Sequence, residues 1–194
     1  MPFITMKLQP FAASLAVVSS LLSAGVMAAD GSISFTGEVA ASSCRVLGAG
    51  SGNFISTNAT VNLPNVSVGA LNAVGAYGGH TSFKILLSGC KAQTGLSNVY
   101  TTFSTTSPAA ADSNVMANTE STSPAQGIGL AILDATFSQI DLNGGPRRDI
   151  DYPLPATESS LVMELNYAVA YKVLALPVTA GGVQGQVNYT IAYN

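Results

Sequence analysis

The sequence predicts an all-β protein built as a sandwich of two packed sheets. After residue 28, short runs of alternating polar and apolar residues recur, separated by Gly, Pro, Asn and Ser. No stretch in that part has the periodicity of an amphipathic helix. About seven to nine short strands bounded by turn residues are typical of a β-sandwich.

Residues 1–28 have the composition of a secretory signal peptide. Lys7 is their only charged residue, residues 11–26 are mostly apolar, and small residues surround a cleavage point after Ala28. Residues 11–28 also just reach the length of a membrane anchor, but no basic stop-transfer cluster follows them. We therefore expect export and cleavage, with Met6 as an alternative start.

Cleavage after residue 28 would leave 166 residues, a size that suits one domain. Only 9 % of the whole chain is charged, against roughly 25 % in ordinary globular proteins. Six basic residues then face ten acidic ones, a net charge of −4. Without a basic patch, nucleic acid is not a predicted partner. Weak charge repulsion suits a surface that packs against copies of itself.

The two cysteines, Cys44 and Cys90, both lie in the part predicted to be exported. In an oxidising compartment such a pair is expected to form a disulfide, worth roughly 4 kcal/mol through chain entropy. A metal pair or a catalytic thiol is the alternative, and the sequence offers neither the further ligands nor a base. We predict the disulfide.

The strands follow from local alternation, taken in chain order. Residues 104–126 are rich in Ser, Thr, Ala, Asn and Pro with little periodicity, and predict a long surface loop. Pro64 confines the strand that precedes it to an edge or an end. The strand at 161–173 is predicted to be the longest of the domain. The predicted strands are 33–47, 61–64, 81–88, 127–134, 138–142, 161–173 and 183–194, with loops at 48–52 and 65–79.

The two ends of the exported chain both predict strands able to lie at a sheet edge. An aromatic strand that runs into the C-terminus needs a partner to hold it. Two such strands could pair within one molecule or between molecules, and the second case would make a polymer. One face of the first strand carries Ile33, Phe35, Gly37 and Val39, and one face of the second carries Val183, Val187, Tyr189, Ile191 and Tyr193.

Catalytic and cofactor sites are not predicted. His80 is the only histidine, no G-x-S-x-G motif accompanies it, and we interpret it as a loop residue. Asp149 and Asp151 are expected to pair on the surface with the adjacent arginines, Arg147 and Arg148. The glycine-rich residues 48–52 lack the lysine of a phosphate-binding loop. We expect no enzyme activity, no metal and no cofactor.

Several motifs in this order, behind a signal peptide, carry a family resemblance. They are Gly37–Val39 with Cys44, Val61–Leu63, Phe83–Leu87 with Cys90, Gly127–Asp134, Tyr167–Tyr171, Gly181 fourteenth from the C-terminus, and the penultimate Tyr193. The chain resembles pilin subunits of chaperone–usher fimbriae, of the type 1 pilus kind, from Gram-negative bacteria. The resemblance covers essentially the whole exported chain.

This resemblance implies an incomplete immunoglobulin-like β-sandwich that lacks its last strand and is completed by donor-strand complementation, a recognised form of strand addition. It implies a donor-strand extension at residues 29–40 and a pilin domain at residues 41–194. Ile33, Phe35 and Val39 would enter pockets of a neighbouring groove, and Gly37 would sit where that groove is shallow. The acceptor groove, which also binds the chaperone, would include Val187, Tyr189, Ile191, Tyr193 and the terminal carboxylate of Asn194.

The resemblance also implies a non-enzymatic structural subunit of a cell-surface fimbria, exported through the periplasm and supporting adhesion. Its partners would be neighbouring pilin subunits, a periplasmic chaperone, an outer-membrane usher and, through the fimbria, a host receptor. One domain with a donor extension favours a shaft or adaptor subunit over a tip adhesin. The alternative is a self-complete secreted β-sandwich that binds sugars or protein through loops such as 104–126.

Overall fold

The computed structural model describes residues 43–143 and 150–194. These residues belong to one compact unit, which spans residues 40–194. The predicted signal peptide and the donor-strand residues Ile33, Phe35, Gly37 and Val39 lie outside the described residues, as do Arg147, Arg148 and Asp149. Within the described ranges, the single helical element is a 3-10 turn at Val68–Ala70, and no helix has the length and apolar character needed to cross a membrane.

The described residues form two antiparallel sheets, which confirms the predicted all-β class. The strands are β1 Arg45–Ser51, β2 Phe54–Ser56, β3 Tyr77–Ser88, β4 Asn98–Ser104, β5 Pro108–Ala109, β6 Asp112–Ala117, β7 Ile128–Leu133, β8 Tyr152–Pro153, β9 Met163–Val173 and β10 Asn188–Tyr193. The larger sheet has the strand order β2-β1-β3-β9-β7-β6-β5, and the smaller has the order β10-β4-β8.

Aromatic side chains from both sheets meet in the core. The ring of Phe103, on β4, lies edge-on to Tyr167, on β9, with centroids 5.0 Å apart, and Phe83 of β3 lies 5.5 Å from Tyr167. The Tyr167 hydroxyl donates a buried hydrogen bond of 2.8 Å to Thr101 Oγ1, again on β4. The two sheets are therefore joined by ring packing and by a polar contact that is fully buried.

The strands predicted at 127–134 and 161–173 are confirmed as β7 and β9. The prediction that the second is the longest is wrong, because β3 has 12 residues and β9 has 11. β3 begins at Tyr77 and includes His80, which was expected in a loop. Gly78 and Gly79 present no side chains, and the register shifts between Gly78 and Thr81, so this part of the strand shows no alternation.

The loop predicted at 48–52 is wrong, since β1 runs to Ser51 and pairs with β2. Glycine is required there by close approach of the two strands. A Cβ atom on Gly50 would lie 1.8 Å from the carbonyl oxygen of Phe54. The glycines that indicated a loop instead allow a tight hairpin at the edge of the larger sheet.

The surface loop predicted at 104–126 contains the hairpin of β5 and β6, so that prediction is wrong in part. Val115 and Met116 on β6 are both buried, although they are consecutive. They belong to clusters on opposite sides of the larger sheet, which is why no alternation marks the strand. Residues 138–142 are not a strand either: Gln139 forms a bridge with Leu133, and Leu142 O accepts from Thr105 N at 3.0 Å.

Cys44 and Cys90 form the predicted disulfide, with Cα atoms 4.2 Å apart. Both residues are buried. Cys44 directly precedes β1 and Cys90 follows β3 by two positions, and these strands pair with Arg45 opposite Ser88. The disulfide therefore closes a loop that contains β2 and residues 57–76.

Candidate functional site: an apolar groove between the sheets

The C-terminal strand β10 lies at an edge of the smaller sheet. Among residues 43–143 and 150–194 it pairs with β4 alone, from Asn188 opposite Ser104 to Tyr193 opposite Val99. The preceding residues make hydrogen bonds on the same side. Thr119 N donates to Gln184 O at 2.8 Å, and Thr105 Oγ1 donates to Gln186 O at 3.1 Å. The other flank of this segment has no partner strand in the described part of the chain.

The strand predicted at 183–194 is thus confirmed only for Asn188–Tyr193. Residues 183–187 keep the predicted alternation of burial but join no ladder, because their hydrogen bonds go to loop residues and side chains. Side-chain periodicity alone cannot distinguish a strand paired in a β-ladder from an extended segment that is held by hydrogen bonds to loop residues and side chains.

Residues 57–66 form the opposite wall of the groove. Val61 and Leu63 are half-buried while Asn62 and Pro64 are exposed, so the alternation that predicted a strand is real. No ladder joins this segment to another described strand, and the strand prediction for 61–64 is wrong. The Tyr171 hydroxyl donates to Pro64 O at 3.2 Å and anchors the wall to β9.

Two cavities run between these walls, of about 550 Å³ and about 750 Å³. Both are lined by Thr60, Val61 and Leu63, so they form one continuous groove. None of the described residues that line it carries a charge. The smaller cavity reaches Val183 and Gly185, and the larger reaches Val187 and Tyr189. We call this feature the groove.

The floor of the groove opens directly onto the hydrophobic core. It is formed by side chains of both sheets, most of them already packed in the main core cluster. Burial raises the pKa of Tyr189 and of Tyr171, which both line the groove, because the ionised phenolate is poorly solvated there. The floor residues are Phe83, Phe103, Met116, Leu130, Ile132 and Val169.

The sequence-predicted acceptor residues all lie on or beside β10. Val187 and Tyr189 line the larger cavity. Ile191 and Tyr193 are half-buried against the core but line neither cavity. Asn194 is tied to its own chain, since its main-chain oxygen accepts from Ser97 N at 2.7 Å and Asn98 N at 2.9 Å.

Sequence reasoning missed the residues that the fold brings to the groove from elsewhere. Phe83 and Met116 come from strands of the larger sheet. The alternation of Val61 and Leu63 was a usable signal for the opposite wall. Met116 gave no such sequence signal, because it lies beside a second buried residue, Val115, in a stretch without periodicity.

Gly181, at the start of the C-terminal segment, packs against the backbone of residues 123–125. Alanine at this position is expected to destabilise the fold by about 1–3 kcal/mol, because its Cβ would lie 2.4 Å from both Ala125 N and Ser123 O. Equilibrium urea unfolding would measure the loss. Gly69→Ala is the matched control, since the nearest atom to its Cβ, Ser67 Oγ, is 3.7 Å away. Equal stability of the two variants would contradict the prediction.

Comparisons with known proteins agree with this architecture. The fimbrial protein family matches residues 33–194. The chain is 32% identical over 171 residues to the major fimbrial subunit SMF-1 of Stenotrophomonas maltophilia, which covers 86% of this chain and 94% of that protein. It is 33% identical over 181 residues to the F17 fimbrial protein of Escherichia coli, covering 92% of this chain and 96% of that protein.

Solved structures show the same fold at lower identity. The P pilus rod subunit PapA has a TM-score of 0.58 at 16% identity, over 79% of this chain and all of that one. A type I fimbria protein of Burkholderia pseudomallei has a TM-score of 0.53 at 21% identity, over 75% of this chain and 93% of that one. Because the fimbrial protein family matches residues 33–194, the chain belongs to the fimbrial proteins and is a structural pilus subunit with the immunoglobulin-like fold of pilins.

Proposed function

We propose that this subunit polymerises by donor-strand exchange, in which the groove accepts residues 29–40 of a neighbouring subunit. The observation that carries the proposal is the groove itself, whose apolar floor lies open between residues 57–66 and the segment 183–189 that leads into β10. A strand at a sheet edge beside an apolar groove is a template on which a further strand can pair. An added strand would supply both the main-chain hydrogen bonds and the apolar side chains.

The donor segment has the dimensions and energy for this role. A ten-residue strand spans about 33 Å, enough to follow one edge of a small sandwich. Burial of Ile33, Phe35 and Val39 at roughly 1.5–3 kcal/mol each would contribute about 5–9 kcal/mol before ordering costs. Each ladder hydrogen bond adds roughly 1 kcal/mol. These terms together can offset the entropy lost on association.

Charge placement supports the same pairing. In an extended segment, Ile33, Phe35, Gly37 and Val39 share one face, and Glu38 lies on the other. The face directed at the groove would then carry no charge, as the uncharged lining requires. Gly37 would occupy a shallow part of the groove, where a side chain would not fit.

Chaperone and usher are the further partners we propose. A periplasmic chaperone would cover the groove with its own strand until the outer-membrane usher catalyses exchange. The amides of Ser97 and Asn98 fix the position of Asn194, whose carboxylate we propose as the chaperone's anchor. The signal peptide at residues 1–28 would direct export, and the assembled subunits would form an extracellular fimbrium of a Gram-negative bacterium that supports adhesion.

The test is the exported chain with residues 29–40 deleted, together with a synthetic peptide of that segment. We expect the truncated subunit to aggregate or unfold on its own and to become stable when the peptide is added. A peptide with Phe35→Asp is the control and should bind at least 100-fold more weakly. A truncated chain that is a stable monomer and ignores the peptide would establish a self-complete sandwich instead.

A further inference from the structure

Exposed apolar side chains gather at one end of the paired strands β3 and β9. Leu47 lies in β1, three positions after Cys44, and Leu161 and Val162 directly precede β9. These three side chains are between 39% and 77% exposed. β1 and β9 flank β3 and both pair with its residue Leu87, so the three side chains lie at neighbouring strand ends. We call Leu47, Leu161 and Val162 the first patch.

A second group of exposed apolar side chains lies at the opposite end of β3 and β9. Val74 precedes β3 and Leu176 follows β9. Gly75 N donates to Val173 O at 2.8 Å, which holds these two segments together. Val68 lies in the 3-10 turn that precedes them. Val68, Val74 and Leu176 are each at least 39% exposed, and we call them the second patch.

The two patches lie at opposite ends of the longest described strand. β3 has 12 residues and is therefore roughly 40 Å long. The segments that carry the second patch, residues 66–76 and 174–182, contain no charged residue. Different apolar patches at opposite ends allow copies of one molecule to stack head to tail, and a contact of that kind can extend into an open filament.

The groove reaches the second patch. Val68 lines its smaller cavity together with Leu71 and Val178. Leu71 and Val178 also pack in one cluster with Val173, the last residue of β9. The smaller cavity is therefore the end of the groove that lies beside the second patch.

The direction of the donor strand places its last residue at the same end of the groove. Every ladder between the described strands is antiparallel. A donor strand that continues this pattern would begin near Tyr189, in the larger cavity, and end near Val183, in the smaller one. Residue 40 of the donating subunit would thus lie next to the second patch of the accepting subunit.

Little chain separates the donor strand from the body of its own subunit. Cys44 is fixed to Cys90 by the disulfide, beside the end of β3 that adjoins the first patch. The chain from residue 40 to Cys44 spans at most about 14 Å, even when it is fully extended. The first patch of the donating subunit is thereby held close to the second patch of the accepting subunit.

We propose that successive subunits make a second contact besides the donor strand, in which the first patch of the donating subunit packs against the second patch of the accepting subunit. The inference rests on the proposed strand exchange. Six aliphatic side chains form too small an interface to hold two free molecules together, but the donor strand keeps the patches at a high effective concentration. The contact fixes the angle between successive subunits and so stiffens the fimbria.

Photo-cross-linking in assembled fimbriae tests strand exchange and the second contact separately. A photoreactive phenylalanine analogue in place of Leu161 should cross-link to residues 66–76 or 174–182 of the neighbouring subunit, as identified by mass spectrometry of the linked peptides. The same analogue in place of Phe35 should cross-link to residues that line the groove. In place of Phe54, which is 88% exposed on β2 beside the middle of β3, the analogue is the control and should reach neither segment of the second patch.

A substitution in the second patch gives a further measurement. Leu176→Asp should reduce the cross-link from position 161 at least tenfold, because the contact would bury a carboxylate against apolar side chains without a partner. It should leave the cross-link from position 35 and the melting temperature of the subunit unchanged, since Leu176 is exposed before assembly. Fimbriae of this variant should also bend more easily, with a shorter persistence length in electron micrographs.

The possible outcomes distinguish the two proposals. A cross-link from position 35 to the groove, without one from position 161 to the second patch, would overturn the second contact and leave strand exchange in place. A cross-link from position 161 that Leu176→Asp does not reduce would also overturn the second contact. If position 35 does not reach the groove, the proposed strand exchange itself fails, and the second contact fails with it.

Discussion

Replacing Val187 with aspartate is expected to prevent the subunit from accepting a donor strand while its own fold persists. Val187 is half-buried and lines the larger cavity of the groove. A carboxylate there would be solvated in the open groove but buried once a strand covers it, without a charged partner. The cost, roughly 3 kcal/mol or more, corresponds to at least a 100-fold loss of affinity.

The control is Thr190→Asp, on the same strand. Thr190 is exposed and lines neither cavity, so its substitution adds the same charge outside the groove. Titration with a labelled peptide of residues 29–40 measures the affinity, and electron microscopy measures fimbria formation. Normal filaments from Val187→Asp, or an equal defect in Thr190→Asp, would place the donor strand elsewhere.

The parts of the fold that could be predicted from sequence are those with unbroken alternation or a strong covalent constraint. In the sequence of β9 a large apolar residue recurs at every second position, although the intervening Ala168 and Ala170 are buried too, and β7 is buried throughout. The two cysteines had few other possible roles in an exported chain. In each case the local pattern and the tertiary environment favour the same structure, so no other part of the chain had to be known.

β4 shows why some strands were not predicted from the sequence. Val99, Thr101 and Phe103 are all fully buried on one face, but the central residue is polar and the strand was not recognised. Thr101 is tolerated in the core because it accepts a hydrogen bond from Tyr167, which lies 66 positions away in sequence. A long-range partner of this kind leaves no local signal.

The groove could be predicted only in part for a related reason. The alternation of β10 shows which face is buried, but not which of its two flanks has a neighbouring strand. The wall at residues 57–66 and the floor residue Met116 are brought there by the arrangement of the larger sheet. The acceptor role of β10 was inferred from a family resemblance, and the structure adds the cavities that lie beside Val187 and Tyr189.

Removing the disulfide is the second change with a large expected effect. A variant with both cysteines replaced by alanine should lose roughly 4 kcal/mol of stability, because the cross-link restricts the unfolded chain over a sequence separation of 46 residues. That is a large fraction of the 5–15 kcal/mol by which a domain of this kind is stable. Chemical unfolding of the variant and of the oxidised wild type measures the loss, and wild type unfolded in a reducing buffer is the control.

The structure also predicts where the damage is concentrated. The loop closed by Cys44 and Cys90 contains the wall at residues 57–66, which no ladder joins to another described strand. The wall is held by the packing of Val61 and Leu63 against the core and by the hydrogen bond from Tyr171 to Pro64 O, with no ladder to a described strand. Hydrogen exchange should therefore rise first in residues 57–66, and an added donor peptide should restore protection there by binding only the folded form. Uniform exchange across β7 and β9 instead would mean that the cross-link stabilises the whole sandwich and has no special connection to the groove.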